Sequence, residues 1–408
     1  MIKYILLTLL LIFCFLYFYI RFKFRFWFKQ PVFHIYNIYY WIYPIGQIVP
    51  KIDNKLDNDF TDLVYTENSI NTPTEKKELL YNLIKFHYLS EKKNNYNPPD
   101  YGILDYLNYH NNKSFISLYY QYNTNNKINN KINNKINNKI NNKINNKINN
   151  KITKVIAGMT SRPLLCKINN ISMTVGYVDF LCVHKKHRKK GIAPKIIYSH
   201  LLNSSKYMEK PIFLFKREGK LNFIVPLILY NSYTFSIKKL SIPNINIKNT
   251  IISIIINDLN INLFFHYFKE IKKNISCVIS PCFENIKNQI KKKLLFIVLI
   301  MENNETIGCY IFRNPYTLYE NKKSIECIAS YYTTGYKDIF IKSFRNAIAL
   351  VKNKCPFSFL IIENISKNNI IIKNIIKSNI TLWKCPMAYY FYNYSIRPFL
   401  PKDVFLLN

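Results

Sequence analysis

Y-V-D-F-L-C-V-H-K-K-H-R-K-K-G-I-A-P, residues Tyr177 to Pro194, decides how the rest of this 408-residue chain is read. Val178, Phe180 and Cys182 alternate as one face of a strand, whereas Ile192, Ile196, Ile197 and Leu201 recur at helical spacing. The period therefore changes from about 2 to about 3.6 across Arg188 to Gly191. A strand is expected to run into a basic turn that opens a helix, and the free N–H groups of a helix N-terminus suit a phosphate.

Two resemblances give that turn a chemistry. Arg188-x-x-Gly191-x-Ala193 has the R-x-x-G-x-A pattern of the acetyltransferase superfamily. Val178-Asp179-Phe180-Leu181-Cys182-Val183-His184-Lys185-Lys186 resembles the E-I-N-F-L-C-x-H-K-K signature of the N-myristoyltransferases, and Arg188, Lys190, Ala193 and Pro194 continue the match. The resemblance implies an α+β fold of two tandem acetyltransferase-like (GNAT-type) halves around a continuous mixed sheet. It also implies myristoyl-CoA as co-substrate, with no metal and no tightly bound cofactor, and proteins or peptides beginning with glycine as acceptors.

The residue roles follow from the same resemblance. The backbone N–H groups of Phe180 and Leu181 would form an oxyanion hole. Arg188, Lys189, Lys190, Gly191, Ile192 and Ala193 would hold the CoA phosphates. Phe26-Trp27-Phe28-Lys29-Gln30-Pro31-Val32 resembles the F-W-x-T-Q-P-V element, so Phe26 and Trp27 would contact the CoA end of the donor. The α-carboxylate of Asn408, after the apolar run Val404 to Leu407, would be the general base. Tyr389 to Tyr394 resembles the Y-Y-L-Y-N-W strand, and Ile361 to Asn364 a D-L-M-E-N segment. Tyr230 holds the tyrosine position of a C-R-Y-W-H-R-S segment. Tyr230 and Tyr389 would therefore serve the acceptor.

The departures fall on the acceptor side. Leu382 to Ala388 stands where the family has a K-F-G-x-G-D-G loop, without its glycines or carboxylate, and Ile228 to Thr234 lacks the family histidine. No T-A-G loop is evident near Phe215 to Gly219. Two alternatives stay open: an acyl-CoA acyltransferase of the same superfamily with another acceptor, and a catalytically inactive membrane-bound acyl-CoA scaffold.

Fifty-eight Lys and Arg against 23 Asp and Glu give a formal charge of +35. Asn, Ile and Lys are enriched along the whole chain, so this charge reads chiefly as a solvated basic surface that favours CoA phosphates and anionic headgroups. Nucleic acid is not the expected partner, and a monomer is expected. The nine cysteines include no C-x-x-C pair and no Cys/His cluster at zinc spacing, which indicates reduced thiols. Cys182 reads as a small buried core residue.

Tyr4 to Ile20 is an uncharged apolar run near the lower limit for a membrane span, followed by Arg21, Lys23, Arg25 and Lys29. Residues 1–25 are expected to anchor the chain, with the body facing the cytoplasm. Phe26 follows Ile20 so closely that extended chain covers at most about 20 Å between them, which sets the donor site near the bilayer. Residues 26–240 would form the acyl-CoA half and 241–408 the peptide half, with Phe235 to Lys248 as a linker. Seven N-N-K-I copies from Asn125 to Ile152 lie between expected strands Phe115 to Tyr122 and Lys154 to Met159, and read as an insertion in a hairpin. Helices are expected over Pro73 to Leu89, Leu104 to Tyr109, Phe264 to Lys273, Lys337 to Lys352 and Ile370 to Ser378. Further strands are expected over Leu294 to Glu302, Cys309 to Phe312, Glu326 to Thr333, Phe357 to Ile362 and Tyr389 to Tyr394, after a β-rich stretch from Ile251 to Leu263.

Overall fold

A computed structural model describes residues 2–51, 60–91, 94–99, 102–122, 152–240 and 250–408. The strand Phe115–Tyr122 pairs antiparallel with Ile152–Ile168. The N-N-K-I tract thus joins the two arms of a hairpin, and all of it but Ile152 lies outside the described residues. The second arm runs well past Met159 to Ile168, turns at Asn169 in the left-handed region (φ 50°), and returns as Ile171–Val183. The polar run Thr160-Ser161-Arg162 hid this continuation from the sequence pattern. Helix Thr74–His87 covers this hairpin by burying Leu80, Leu83 and Ile84, residues three and four apart.

The expected helix after the basic turn is Ile192–Ser205, which buries Ile192, Ile196 and Leu201. It is the crossover between Ile171–Val183 and the parallel strand Phe213–Glu218. The chain's late strand Trp383–Tyr392 then lies between Phe213–Glu218 and Ile228–Ser236, antiparallel to both. Ile228–Ser236 pairs next with Phe359–Glu363, which runs parallel to Lys322–Tyr332. Each half thus places a strand inside the other's part of the sheet. Phe235 is not linker: it is buried in this sheet opposite Leu360.

In the second half, Leu295–Glu302 and Glu305–Arg313 form a hairpin whose turn residues, Asn303 and Asn304, both have positive φ. Leu295–Glu302 is apolar on both faces because helices cover both. Phe296, Val298 and Ile300 pack with Phe340, Phe344 and Val351 of helix Lys337–Lys354, while Ile297 and Leu299 pack with Phe264, Phe268 and Ile271 of helix Ile261–Asn274. That second helix begins earlier than expected, and the strand before it is only Ile251–Ile255. Leu104 to Tyr109 yields a single 3-10 turn, Leu104–Tyr106. The last strand, Val404–Leu406, runs parallel to Cys277–Ser280, which pairs antiparallel with Leu165–Ile168 of the first half. The chain's end is thereby drawn into the core where the halves meet.

Helix Ile2–Lys23 stands apart, its apolar side chains exposed along its length. By length and composition it can cross a membrane. Its 22 residues give about 33 Å at 1.5 Å each, against a hydrocarbon core of about 30 Å.

Candidate active site

The strand alternation breaks where the sequence quoted first is most distinctive. Gly158 pairs with Cys182 and Thr160 with Asp179, so Phe180 and Leu181 together oppose Met159 alone. This is a β-bulge, with Phe180 at φ 51°, a conformation uncommon for a bulky residue. The extra residue turns the pattern over. Val178 packs with Leu181 and Val183 on one face, whereas Phe180 joins Cys182 on the other. The single face expected of Val178, Phe180 and Cys182 is therefore corrected. Phe180 and Leu181 therefore have no residue-for-residue partner in the ladder register. Cys182 is buried, its thiol pushed up to about 12 first by burial, as suits a core residue.

Beyond Val183 the chain makes a 3-10 turn, Lys185–His187, and reaches Gly191, the N-cap of the helix, at φ 70°. A Cβ at Gly191 would meet nothing within 4 Å, so the glycine answers a backbone requirement and not crowding. Lys189 and Lys190 are exposed beside it. Arg188 is also exposed, but its Nε donates to the Val183 carbonyl at 3.1 Å and its Nη2 to the His87 carbonyl. It fastens the turn to helix Thr74–His87. Three histidines crowd this turn, with ring centroids 4.0 Å apart for His87 and His184 and 5.4 Å for His184 and His187. All three are held below their ordinary range, by burial first and then by neighbouring positive groups, and His184 is lowered to about 4. The turn is a concentrated positive field.

A cavity of about 840 Å³ runs past the bulge. One wall is apolar and aromatic: Phe24, Trp27, Ile197, Leu201 and Phe215, with Trp27 stacked on Phe215 at 5.3 Å. Val178 to Leu181 also line it. The far wall is polar, with Arg162, Lys216, Arg313, Thr317 and Glu326 beside Tyr106 and Tyr319. Trp27 lines the cavity, while Phe26 packs edge-on against it at 5.1 Å and is not on the lining.

The polar wall belongs to a charge network that the sequence reading missed. Arg313 donates to Glu326 through Nε at 2.9 Å and Nη2 at 2.5 Å, and its Nη2 lies 3.9 Å from Glu363. Lys216 pairs with Glu363, which also accepts from the Tyr230 hydroxyl at 3.1 Å. Asn408 is 1% exposed; its main-chain and side-chain oxygens accept from Arg313 Nη1 at 3.1 and 3.0 Å, and its Nδ2 donates to Tyr177 at 2.6 Å. Arg162, buried between the rings of Tyr106 and Tyr177, pairs with Asp179 at 2.7 Å. Burial pushes the Glu326 carboxyl up, but Arg313 and then Lys216 outweigh it and hold the group below its ordinary range.

The structure brings Phe180, Leu181 and Trp27 onto one cavity, with Asn408 joined to it through Arg313 and Tyr177. Tyr230 and Tyr389, stacked at 5.9 Å, do not line that cavity but back the network. Leu382 to Ala388, read as standing in place of a loop, is mostly strand, with Trp383 to Ala388 paired to Leu229 to Thr234. The missed network carried one sequence signal. Arg162, Arg313, Glu326 and Glu363 are isolated charges inside apolar strands, and such residues are rarely buried unpaired. Among the described residues, no group of three or more His, Cys, Asp or Glu is placed to hold a metal ion.

No protein-family model matches the chain, and no curated protein matches its sequence. Solved structures do match. The chain superposes on Saccharomyces cerevisiae N-myristoyltransferase with bound myristoyl-CoA at TM-score 0.64 and 14% identity, covering 94% of this chain and 99% of that one. A structure of the same yeast protein with bound myristoyl-CoA and inhibitors gives TM-score 0.67 and 12% identity, over 93% and 92% of the two chains. The chain has the N-myristoyltransferase fold, two GNAT-like halves around one mixed sheet.

Proposed function

We propose that a chain with this fold and this cavity is a myristoyl-CoA-dependent acyltransferase that acylates the N-terminal glycine amine of peptides and proteins. The observation that carries the reading is the bulge. It leaves two adjacent residues, Phe180 and Leu181, outside the ladder register on the lining of a cavity that also carries apolar rings, with a basic helix N-terminus on the same strand-to-helix connection; their N–H groups are the proposed oxyanion donors.

In the proposed reaction the CoA phosphates lie on Lys189, Lys190 and the amides of Gly191 and Ile192, the helix macrodipole adding to the lysine charge. Arg188 shapes the turn and presents its remaining charge. Ala193 lets the helix start close to the ligand. Trp27, supported by Phe26, covers the CoA end of the donor. The thioester oxygen points to the N–H groups of Phe180 and Leu181, which stabilise the negative charge that develops as the amine nitrogen attacks. The ammonium first gives one proton to the base so that the neutral amine can attack; a C–N bond forms, the C–S bond breaks, and the second nitrogen-bound proton goes to the departing sulfur, so that CoA leaves as the thiol.

The α-carboxylate of Asn408 is the proposed base. Counting it, and leaving aside the self-neutral Arg162–Asp179 pair, the network holds three carboxylates (Glu326, Glu363 and Asn408) against two cations, Arg313 and Lys216. The surplus negative charge favours an ammonium at the cavity's polar wall. Tyr230 acts on the acceptor indirectly, by donating to Glu363, and Tyr389 by stacking on Tyr230. Helix Ile2–Lys23 is proposed to anchor the protein in a membrane, and the basic residues at its end place the body on the cytoplasmic side.

One observation favours a second reading, a different amine acceptor. The paired strand Trp383–Ala388 supplies no glycine-rich loop or carboxylate on the acceptor side. The test is to incubate the detergent-solubilised full chain with myristoyl-CoA and glycine-starting peptides, following free CoA thiol and product by mass spectrometry. An N-myristoyl-glycine product supports the proposal. CoA release only with other amines supports the second reading, and tight donor binding without turnover points to a scaffold.

A further inference from the structure

A second apolar surface lies just beyond the N-terminal helix. Ile38, Tyr39, Trp41, Ile42, Tyr43 and Ile45 are all exposed, Ile38 by 71% and Tyr43 by 64%. They do not belong to a loose loop. Asn37 caps the short helix Ile38–Ile42 by accepting from Tyr40 N–H, and Trp41 Nε1 donates to the Ile35 carbonyl at 3.0 Å. From beneath, the buried Phe33 packs against the rings of Tyr40 and Trp41 at 5.7 and 5.1 Å. Arg397 donates to the carbonyls of Trp41 and Ile42, both at 2.9 Å, tying the segment to the far end of the chain. The fold builds a platform and turns its apolar side chains outward.

What covers this platform is indicated by its neighbour. The helix Ile2–Lys23, exposed over most of its length, ends beside it. Tyr17 packs edge-on against Phe28 at 5.7 Å, and its hydroxyl lies within electrostatic range of Tyr36. The platform is rich in Tyr with one Trp, side chains that pair an apolar body with a polar tip and concentrate at the headgroup level of bilayers. Arg21, Lys23, Arg25 and Arg397 flank it with the charge that anionic headgroups attract.

We propose that residues 35–45 form a membrane-seating platform, partner to a phospholipid bilayer containing anionic lipid, which lies at the interface of the leaflet that the helix Ile2–Lys23 leaves. The proposal rests on reading that helix as membrane-embedded. With two attachments the body can no longer pivot about the helix end. Phe24 and Trp27, on the cavity wall between the two, are then held at the leaflet surface, where a long-chain acyl donor and an acylated product both partition.

The test uses the full chain reconstituted in phosphatidylcholine–phosphatidylserine vesicles, with lipids brominated near the top of their acyl chains as quenchers. Wild type and Trp41→Phe are compared, so that the difference isolates Trp41 from Trp27 and Trp383. The expected result is that Trp41 contributes a blue-shifted emission, strongly quenched by brominated lipid and weakly by aqueous iodide. Equal quenching by brominated lipid in both proteins, while both co-float with vesicles, overturns the platform and leaves the helix anchored. A Trp41 shielded from lipid and iodide alike also overturns it, by showing that protein covers the surface. Failure of the wild type to co-float removes the anchor and the platform together.

Discussion

Replacing Arg313 by methionine isolates what the buried network is worth. The guanidinium makes two hydrogen bonds to Glu326 and two to Asn408, and the side chains of Arg313 and Glu326 are only 14% and 15% exposed, so solvent screens the pair little. Methionine fills much of the volume but leaves Glu326 buried beside Glu363 without its main counter-charge. Breaking such a pair from one side costs about 3–5 kcal/mol, a fall of roughly a hundred- to a few-thousand-fold in the folded-to-unfolded ratio. Glu326→Gln retains an acceptor for the guanidinium and should cost about 1–2 kcal/mol.

The sign of the pH dependence is fixed as well. Glu326 is held below its ordinary range in the folded protein, so its contribution is fully present above about pH 4.5 and is lost as pH falls through the lower folded value. In Arg313→Met the orphaned carboxyl takes up a proton more readily, so the deficit should shrink on acidification. The assay is urea unfolding in detergent micelles followed by far-UV circular dichroism, at neutral and acidic pH, for Arg313→Met, Glu326→Gln, Glu326→Leu and Arg313→Met combined with Glu326→Leu. A loss in Arg313→Met below about 1 kcal/mol, or strict additivity in the double variant, would refute the reasoning.

Three further outcomes follow from the site. Appending one alanine after Asn408 displaces the proposed base and should lower acyl transfer by roughly a hundredfold or more while donor binding persists; unchanged turnover in steady-state assays rules the base out. Gly191→Val places a β-branched residue at φ 70°, a strain of about 1–3 kcal/mol. Because nothing crowds that position, the cost should appear as weaker myristoyl-CoA binding in titration, with Gly191→Asn milder. Donor affinity should also rise as pH falls from 8 toward 5. His87, His184 and His187 are depressed, and phosphates on the proposed site would raise them, so binding takes up protons; a flat affinity profile by calorimetry would contradict this.

Much of the fold could be read from the sequence because its signals are local. The helix Ile192–Ser205, the hairpin around Asn303 and Asn304, and the helix Lys337–Lys354 follow from periodicity and turn chemistry. Strand exchange between the halves was not readable: nothing local in Trp383 to Tyr392 says that it will lie between Phe213–Glu218 and Ile228–Ser236. The bulge shows the same limit inside one motif. Residues 178–183 read as a plain alternation, and only pairing with Gly158 and Thr160 reveals that Phe180 is the extra residue. At the site, the basic turn before Gly191 is contiguous and readable in the sequence, whereas the network drawing on Arg162, Lys216, Arg313, Glu326 and Glu363 comes from five strands and exists only in three dimensions.

The most direct test is a structure of the full chain with a non-hydrolysable thioether analogue of myristoyl-CoA that keeps an oxygen at the thioester position. That oxygen is predicted to lie about 2.7–3.1 Å from the amide nitrogens of both Phe180 and Leu181. The pyrophosphate should rest on Lys189, Lys190 and the amides of Gly191 and Ile192. An analogue bound with its oxygen turned away from the bulge, or with its phosphates elsewhere, would contradict the account.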